Sequence, residues 1–406
     1  MVHRDKILCF LVLFCCFFAH TPLQAQQPRK KVGLVLGGGG AKGAAEVGVL
    51  KVLEEADIPV DYIAGTSIGA IVGGLYAIGY DAADIDSLYR NQNWLFLLSD
   101  QVKRESETFL SKEEREKYIV HIPLSKERKV SLPTGYVKGQ NIFNLFSKLT
   151  VGYHQVDDFS NLPIPYRCVA VDLVEGKEVV FSSGSLPLAM RASMSIPGVF
   201  APVEWKGKML VDGGALNNLP VDVAKEMGAD VIIGVGGGKA LDTVKCLCIA
   251  DDKPVFTFPT IASNCAACTS VSIMYKDDGT FLKPHFFIRP AMHAFIDTEL
   301  ISKAPAQYMW AGIGDTYAKY YEATISSRGE QLEHFSSLGV VLSLMCRNPL
   351  LEYGPKAYED HKKKLSTYDV EQVVLAIVVT TGITSIFLTK DFTPDYNSGL
   401  AHAIFY

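Results

Sequence analysis

Short apolar runs alternate with glycine-rich turns and segments of helical periodicity in the first part of the chain. Residues 32–36 form an apolar run with β-branched positions, and four glycines follow it. Apolar residues at 49, 50, 53 and 56 then recur at helical spacing. A second apolar run at 60–64 precedes a helix predicted over 68–78. Two strands joined through a helix predict a parallel βαβ unit.

The alternation continues and then restarts near residue 236. Further strands are predicted at 167–172, 178–181, 209–211, 231–235 and 255–258. A triple glycine opens a helix that extends to about residue 250, and the chain is mainly helical from residue 297. The apolar run 373–388 is shorter than the ~20 residues of a bilayer span and predicts a core helix. The pattern predicts an α/β fold with a mainly parallel sheet and a helical C-terminal region.

Composition excludes some classes of protein. The 406 residues are 48% hydrophobic and 20% charged, which suits globular cores in more than one domain. The net charge of −5 shows no basic face for phosphates, so we do not expect nucleic-acid binding. Cys168 is the only cysteine between residues 25 and 240, so a disulfide framework is not expected.

The pentapeptide Gly65-Thr66-Ser67-Ile68-Gly69 has the spacing of a nucleophile elbow. A serine on a strained strand-to-helix turn needs small neighbours so that the backbone can fold tightly beneath it. The following helix start also favours a developing negative charge on the serine oxygen. The alternative is an ordinary glycine turn in an α/β core.

A second candidate feature is the glycine-rich loop at residues 38–43. Amides without side chains in front of a helix suit a phosphate or a developing oxyanion, and Gly38, Gly39 and Gly40 are the predicted donors. No Gly-Lys-Ser/Thr closes the loop, so it is not a Walker A motif. Lys42 either orients this loop or the substrate head group, or is simply solvated; Gly43 completes the motif.

The third feature is Asp212-Gly213-Gly214 at the end of a predicted strand. The alternative to a functional carboxylate is a simple turn. His121 and His154, the histidines between residues 33 and 235, lie in polar stretches. A Ser-His-Asp triad remains open, but we favour Asp212 as the direct base for Ser67.

Together, these three features and the segment 191–202 resemble the patatin-like phospholipase family. The resemblance implies a three-layer α/β/α core over residues 26–235 and a Ser67–Asp212 dyad that cleaves lipid acyl esters without a metal or cofactor. It implies a lipid or phospholipid substrate and a membrane surface as partners. It leaves the oligomeric state open.

Residues 228–406 resemble glycerol dehydrogenase and other iron-containing alcohol dehydrogenases. This resemblance implies a partial NAD-binding segment at 236–296, then a helical segment at 297–406. Its implied cofactor-binding positions are Gly236, Gly237, Gly238, Lys239, Asp242, Thr260 and Ser263, and its implied metal ligands are Asp315 and His402. A catalytic zinc needs three protein ligands, so we expect no dehydrogenase activity.

Two rival functions therefore remain beside the lipid acyl hydrolase. One is an NAD- and zinc-dependent polyol dehydrogenase, and the other is a non-catalytic fusion. The stretch 228–235 fits both families, which suggests a chimera joined there, either natural or created by sequence assembly.

The N-terminus predicts export. His3, Arg4 and Lys6 precede an apolar run over 7–18, and Ala25 offers a small residue at a cleavage point. We expect a signal peptide at 1–25, with an uncleaved anchor as the alternative. Combined with the first resemblance, this predicts a protein of the periplasm or outer membrane of a Gram-negative bacterium.

Overall fold

A computed structural model of the chain describes residues 29–102, 105, 108–109, 135–276, 280–389 and 396–397. Two compact units divide the chain, Met1–Lys30 and Lys31–Tyr406, and every described strand and helix belongs to the second. The predicted signal peptide, His121 and His402 lie outside the described residues.

Thirteen strands occur in the described part of the chain. They are β1 (Val32–Leu36), β2 (Tyr62–Thr66), β3 (Gly135–Val137), β4 (Tyr166–Asp172), β5 (Lys177–Phe181), β6 (Gly198–Phe200), β7 (Val203–Trp205), β8 (Lys208–Asp212), β9 (Val231–Gly236), β10 (Val255–Pro259), β11 (Val271–Tyr275), β12 (Phe281–Phe286) and β13 (His293–Ala294).

The helices lie mainly between the strands and at the C-terminal end. They are α1 (Ala44–Glu55), α2 (Ile68–Ala77), α3 (Ala82–Asn91), α4 (Trp94–Leu97), α5 (Gln140–Leu149), α6 (Leu186–Ser193), α7 (Val221–Glu226), α8 (Gly238–Ala250), α9 (Thr298–Ser302), α10 (Ala306–Ser326), α11 (His334–Leu342), α12 (Leu344–Lys362), α13 (Tyr368–Leu375) and α14 (Thr381–Phe387).

One nine-stranded sheet organises the fold, in the order β13-β10-β9-β1-β2-β4-β8-β7 with β5 beside β4. Strand β1 pairs in parallel with β2 on one side and with β9 on the other. Strands β5 and β8 pair antiparallel with β4. The predicted α/β class with a mainly parallel sheet is confirmed.

Alternate residues of the central strands face two separate cores. Leu34 and Leu36 of β1 pack in one apolar cluster with Leu50 of α1, whereas Val35 packs in another with Val244 of α8. Because successive side chains of a strand point to opposite faces, both faces of the sheet are covered by helices. This is the three-layer arrangement that the resemblance to the patatin-like family implied.

The connections reverse direction at the neighbouring strands β1 and β9. From β1 the chain passes through α1 to β2 on one side, and from β9 it passes through α8 to β10 on the other. Right-handed crossovers place the two helices on opposite faces. The carboxyl ends of β1 and β9 therefore border a crevice at a topological switch point, where open α/β sheets bind ligands.

The sheet continues across the predicted domain boundary. Residues 235 and 236 both lie in β9, and β10 extends the same sheet beyond it. Helices α10, α12 and α13 build a third apolar core that includes Met309, Leu350 and Val373. The division into domains at residues 235–236 stays a prediction.

The predicted core helix at 373–388 corresponds to the continuous helical stretch Tyr368–Phe387, which contains a π-helical turn at Ala376–Thr380. Its length and composition would suffice to cross a membrane, and 56% of its apolar window is buried inside the protein.

Candidate active site

Ser67 occupies the sharp turn between β2 and α2. Its backbone has φ 57° and ψ −119°, a conformation that side-chain-bearing residues rarely adopt. The turn is so tight that a Cβ at Gly65 would lie 2.4 Å from the carbonyl oxygen of Gly69, and one at Gly69 would lie 2.4 Å from that of Leu36. The predicted elbow geometry is therefore present, and its two glycines allow the backbone segments to touch.

The hydroxyl of Ser67 donates a hydrogen bond to Oδ2 of Asp212 over 2.6 Å. The two residues are only 6% and 7% exposed, although 145 positions separate them. Strand β8 ends at Asp212, whose Oδ1 accepts a 2.7 Å hydrogen bond from the amide of Gly214. Gly213 lets this turn pass close to β4, because a Cβ there would lie 2.3 Å from the carbonyl oxygen of Val169.

Burial raises the pKa of Asp212 above its usual value, and the hydrogen bonds from Ser67 and Gly214 partly oppose this shift. Desolvation disfavours the charged carboxylate and so increases its affinity for a proton. The arrangement can therefore transfer the serine proton to Asp212.

Ser193 supports the turn from α6. Its hydroxyl accepts the amide hydrogen of Ser67 at 2.9 Å and donates to the carbonyl oxygen of Val169 at 2.6 Å. The hydroxyl of this fully buried side chain thus accepts one hydrogen bond and donates another. These two bonds hold the strained turn against β4.

A second support begins at the buried Arg191. Its guanidinium donates to the Ser195 hydroxyl at 2.5 Å and to the Lys138 carbonyl at 2.9 Å, and burial lowers its pKa to about 10. The carbonyl of Ser195 accepts the amide hydrogen of Asp212 at 2.9 Å. This chain of contacts fixes the end of β8 that carries Asp212.

The glycine-rich loop lies directly beside the nucleophile. A Cβ at Gly38 would lie 3.2 Å from the Cβ of Ser67. The amide of Gly38 donates to the carbonyl of Asn218 at 3.1 Å, and the Asn218 side-chain amide donates to the Gly38 carbonyl at 3.2 Å. Gly40 has φ +57°, and Gly43 leaves room for the side chain of Ile68. The Lys42 side chain lies outside the described part of the structure.

The cofactor positions implied by the second resemblance have structural partners. Asp242 is buried, forms a 3.0 Å ion pair with Lys245 and accepts a hydrogen bond from the amide of Ile273. The Lys239 ammonium lies over the ring of Tyr275. These contacts within the protein engage both polar side chains.

The other cofactor and metal positions implied by the second resemblance lie in three parts of the structure. Gly236, Gly237 and Gly238 form the turn from β9 into α8, where the carbonyl of Gly236 accepts the amide hydrogen of Thr260. Ser263 follows in the loop after β10. Asp315 lies in α10, and no cluster of three metal-binding side chains occurs among the described residues.

Three residues near the site were not assigned from sequence. Ser193 lies within the segment 191–202, but the pattern did not show which of its polar side chains faces Ser67. Asn218 contacts Gly38 partly through its backbone carbonyl, and the type of residue does not reveal a contact made by backbone atoms. Glu46 lies in α1 and is only 6% exposed, and a charged residue at an inward position of a helix is a signal that the sequence alone could have shown.

A serine hydroxyl on a strand-to-helix turn of a three-layer α/β fold is typical of the α/β serine hydrolases. Residues 34–225 match the model of the patatin-like phospholipase family. The first part of the chain is therefore similar to the patatin-like phospholipases.

Curated relatives agree with this family. The chain is 37% identical over 242 residues to lysophospholipase nte1 of Emericella nidulans, covering 56% of this chain and 14% of that protein. It is 38% identical over 254 residues to lysophospholipase NTE1 of Scheffersomyces stipitis, covering 59% of this chain and 15% of that protein. The chain thus spans a small part of the length of the relatives it matches.

The second resemblance is also confirmed. Residues 219–295 match the model of the iron-containing alcohol dehydrogenases. The solved glycerol dehydrogenases of Sinorhizobium meliloti and Schizosaccharomyces pombe are each 30% identical, with a TM-score of 0.38. The matches cover 41% of this chain and, respectively, 48% and 44% of the other chains. The two family models together show a patatin-like match at residues 34–225 and a dehydrogenase-like match at residues 219–295 of one chain.

The predicted localisation is wrong. The similar lysophospholipases come from fungi and are not periplasmic or outer-membrane proteins of Gram-negative bacteria. A basic start and an apolar run resemble a targeting segment in any type of cell, so this pattern carried no information on the type of cell.

Proposed function

We propose that the chain hydrolyses acyl esters of phospholipids or lysophospholipids, with Ser67 as the nucleophile and Asp212 as its base. The observation that carries the proposal is the 2.6 Å hydrogen bond between their two buried side chains. The lysophospholipase relatives support the choice of a lipid ester as substrate.

The reaction runs in two halves. The Ser67 oxygen attacks the acyl carbonyl while its proton moves to Asp212. The tetrahedral intermediate then collapses, the bond to the alcohol oxygen breaks, and Asp212 returns the proton to that oxygen. In the second half, Asp212 takes a proton from water, the hydroxide attacks the acyl-enzyme, and the fatty acid leaves as Ser67 regains the proton.

Backbone amides of the glycine-rich loop would stabilise the negative charge on the carbonyl oxygen. Gly39 and Gly40 are the preferred donors, because the amide of Gly38 donates to Asn218. Gly38 joins them only if substrate binding shifts that loop. Each such donor typically lowers the barrier by roughly 3 kcal/mol.

A lipid surface is the partner that the surroundings of the site favour. Strands β3 and β6 pair in parallel, so Tyr136 and Val199 lie side by side on the face opposite the buried Val137 and Phe200. Ile196 and Leu216 are also exposed, each close in sequence to a residue bonded to Asp212. We call Tyr136, Ile196, Val199 and Leu216 the apolar rim, and propose that it rests on the lipid surface.

Labelling with a fluorophosphonate tests the nucleophile. We expect the intact chain to be labelled and to release fatty acid from lysophospholipid, and Ser67→Ala to do neither. Ser185→Ala is the matched control, because the Ser185 side chain forms no capping hydrogen bond at the start of α6. A folded wild-type protein that takes no label, or equal labelling of Ser67→Ala, would contradict the proposal.

A further inference from the structure

An open cavity of about 1030 Å³ lies at the switch point between β1 and β9. Its walls come from both parts of the chain: the glycine-rich loop and α1 on one side, and the turn after β9, the loop after β10 and the residues around α9 on the other. Cavities of this size bind ligands as large as drugs, and this crevice is where an α/β sheet places them.

Glu46 is the unusual residue in the cavity lining. It is only 6% exposed, and its carboxyl group accepts a hydrogen bond from the amide of Gly37. Oxygen Oε2 has no hydrogen-bond partner among the described residues. Burial raises the pKa of Glu46 well above its usual value, which favours the neutral acid. A buried polar group without a partner is costly, and a ligand hydroxyl can satisfy it as donor or acceptor.

The charges around the cavity favour a neutral or zwitterionic ligand. Its basic lining residues each pair with a carboxylate, in the ion pairs Lys51–Glu55, Arg90–Asp86 and Lys303–Glu299. Glu54 adds a further acidic group. Carboxylates thus outnumber cations in the lining, which disfavours the doubly charged pyrophosphate of a dinucleotide.

The glycine-rich loop that lines the cavity also lies beside the reacting serine. Gly37, Gly38 and Gly39 line the cavity, whereas Ser67 and Asp212 do not, and a Cβ built on Gly38 would lie 3.2 Å from the Cβ of Ser67. A lipid whose ester lies at Ser67 can therefore place the atoms next to that ester in the cavity.

We propose that this cavity binds the alcohol part of a monoacyl glycerolipid, and that Glu46 forms a hydrogen bond with the free glycerol hydroxyl beside the scissile ester. The inference rests on the proposed hydrolysis at Ser67 and assigns the cavity and the residue that recognise the alcohol part of its substrate. It also gives the dehydrogenase-like segment a role, because that segment supplies one wall of the binding site.

Two substrates that differ by one hydroxyl test Glu46. They are lysophosphatidylcholine and its 2-deoxy analogue. We expect the wild-type kcat/KM to be at least about tenfold higher for the hydroxyl form, because the deoxy form leaves the carboxyl group unpaired. Glu46→Gln should keep this ratio, whereas Glu46→Leu should reduce it to near one. Each ratio is measured within one enzyme, so a general defect of the glycine-rich loop cancels.

A second pair of variants tests the cavity wall that the dehydrogenase-like segment supplies. Thr260 lines the cavity, and Thr243 lies on α8 outside the lining. Thr260→Trp should slow lysophosphatidylcholine hydrolysis at least about tenfold while a small fluorophosphonate still labels Ser67. Thr243→Trp should leave both unchanged.

The outcomes separate the two levels of the proposal. Normal labelling with an unchanged hydroxyl preference in Glu46→Leu would overturn the role of Glu46 and leave the hydrolase intact. Saturable binding of NAD that Thr260→Trp abolishes would assign the cavity to a nucleotide and overturn the inference. Failure of the wild type to label or to hydrolyse lipid would overturn the proposed function and the inference together.

Discussion

The backbone amide of Ser67 donates its hydrogen to the hydroxyl of Ser193, 126 positions further along the chain, at 2.9 Å. The same hydroxyl donates to the carbonyl of Val169 in β4. The elbow is therefore tied to the neighbouring strand by one side chain that uses both its donor and its acceptor capacity.

Replacing this side chain should weaken the fold and the site together. Ser193→Ala leaves a buried amide and a buried carbonyl without a partner, so the free energy of unfolding should fall by about 1–3 kcal/mol. We expect kcat to fall as well, because the turn that aims Ser67 loosens. Urea unfolding and lysophospholipid hydrolysis measure the two effects. A Ser193→Ala protein as stable as Ser185→Ala would contradict this account.

The backbone conformation of Ser67 predicts that any side chain at this position lowers the free energy of unfolding. Its φ of 57° suits glycine and strains any residue with a Cβ, at a cost of roughly 1–3 kcal/mol. Ser67→Gly should therefore be more stable than Ser67→Ala by about 1 kcal/mol, although both lack the nucleophile. Denaturant midpoints of the two variants, measured side by side, provide the check, and equal midpoints would show an unstrained turn.

The pKa of Asp212 predicts how activity depends on pH. A base must be ionised, so activity should be lost as pH falls through the raised pKa, above the usual 3.8. Asp212→Asn should lower kcat by about 10²- to 10⁴-fold. A wild-type acid limb at or below 3.8 would contradict the assignment.

The same shift affects stability with a defined sign. Between 3.8 and its raised pKa, Asp212 binds more protons in the folded state than in the unfolded state. Its contribution to the free energy of unfolding therefore falls as pH rises through that window. Asp212→Asn should flatten this part of the stability curve, and thermal melts across the window measure it.

Removing the second half tests the predicted domain boundary. A chain that ends at residue 236 loses β10, the partner of β9, and exposes an apolar edge strand. It also loses Leu300, which packs over Gly48 of α1. We expect this chain to melt at lower temperature than the full chain and to aggregate, as measured by scanning calorimetry and sedimentation. A monomer with an unchanged melting temperature would establish residues 26–235 as an independent domain.

The apolar rim predicts binding to lipid vesicles. Tyr136→Ser combined with Val199→Ser should weaken sedimentation with phosphatidylcholine vesicles by several fold and leave fluorophosphonate labelling intact, because neither side chain touches the reacting groups. Val174→Ser is a suitable control, since Val174 is exposed in the turn between β4 and β5. Equal binding of the double variant and this control would place the lipid contact elsewhere.

The sequence predicted the strands and helices around the site well, because apolar periodicity there is strong. The start of β2 was predicted two residues early. The Asp61 side chain accepts the hydrogen bond of the Val32 amide just before the strand begins, and a pattern of apolar residues does not show such a contact. The meeting of Ser67 and Asp212 followed from the family's motifs, whereas spacing alone left a histidine triad open. Contacts that run through backbone atoms, such as Asn218 with Gly38, leave no trace in residue type.

Strand β9 is the element that connects the two halves of the chain in one sheet. It lies between β1 of one half and β10 of the other, in parallel register with both, and the two family matches overlap just before it, at residues 219–225. Backbone hydrogen bonds between strands do not depend on the side chains of either strand. A parallel strand buried on both faces can therefore join two segments that resemble different families. Joining two segments at such a strand keeps the hydrogen bonding of the sheet, and each segment then supplies one side of the crevice at the carboxyl end of the strand.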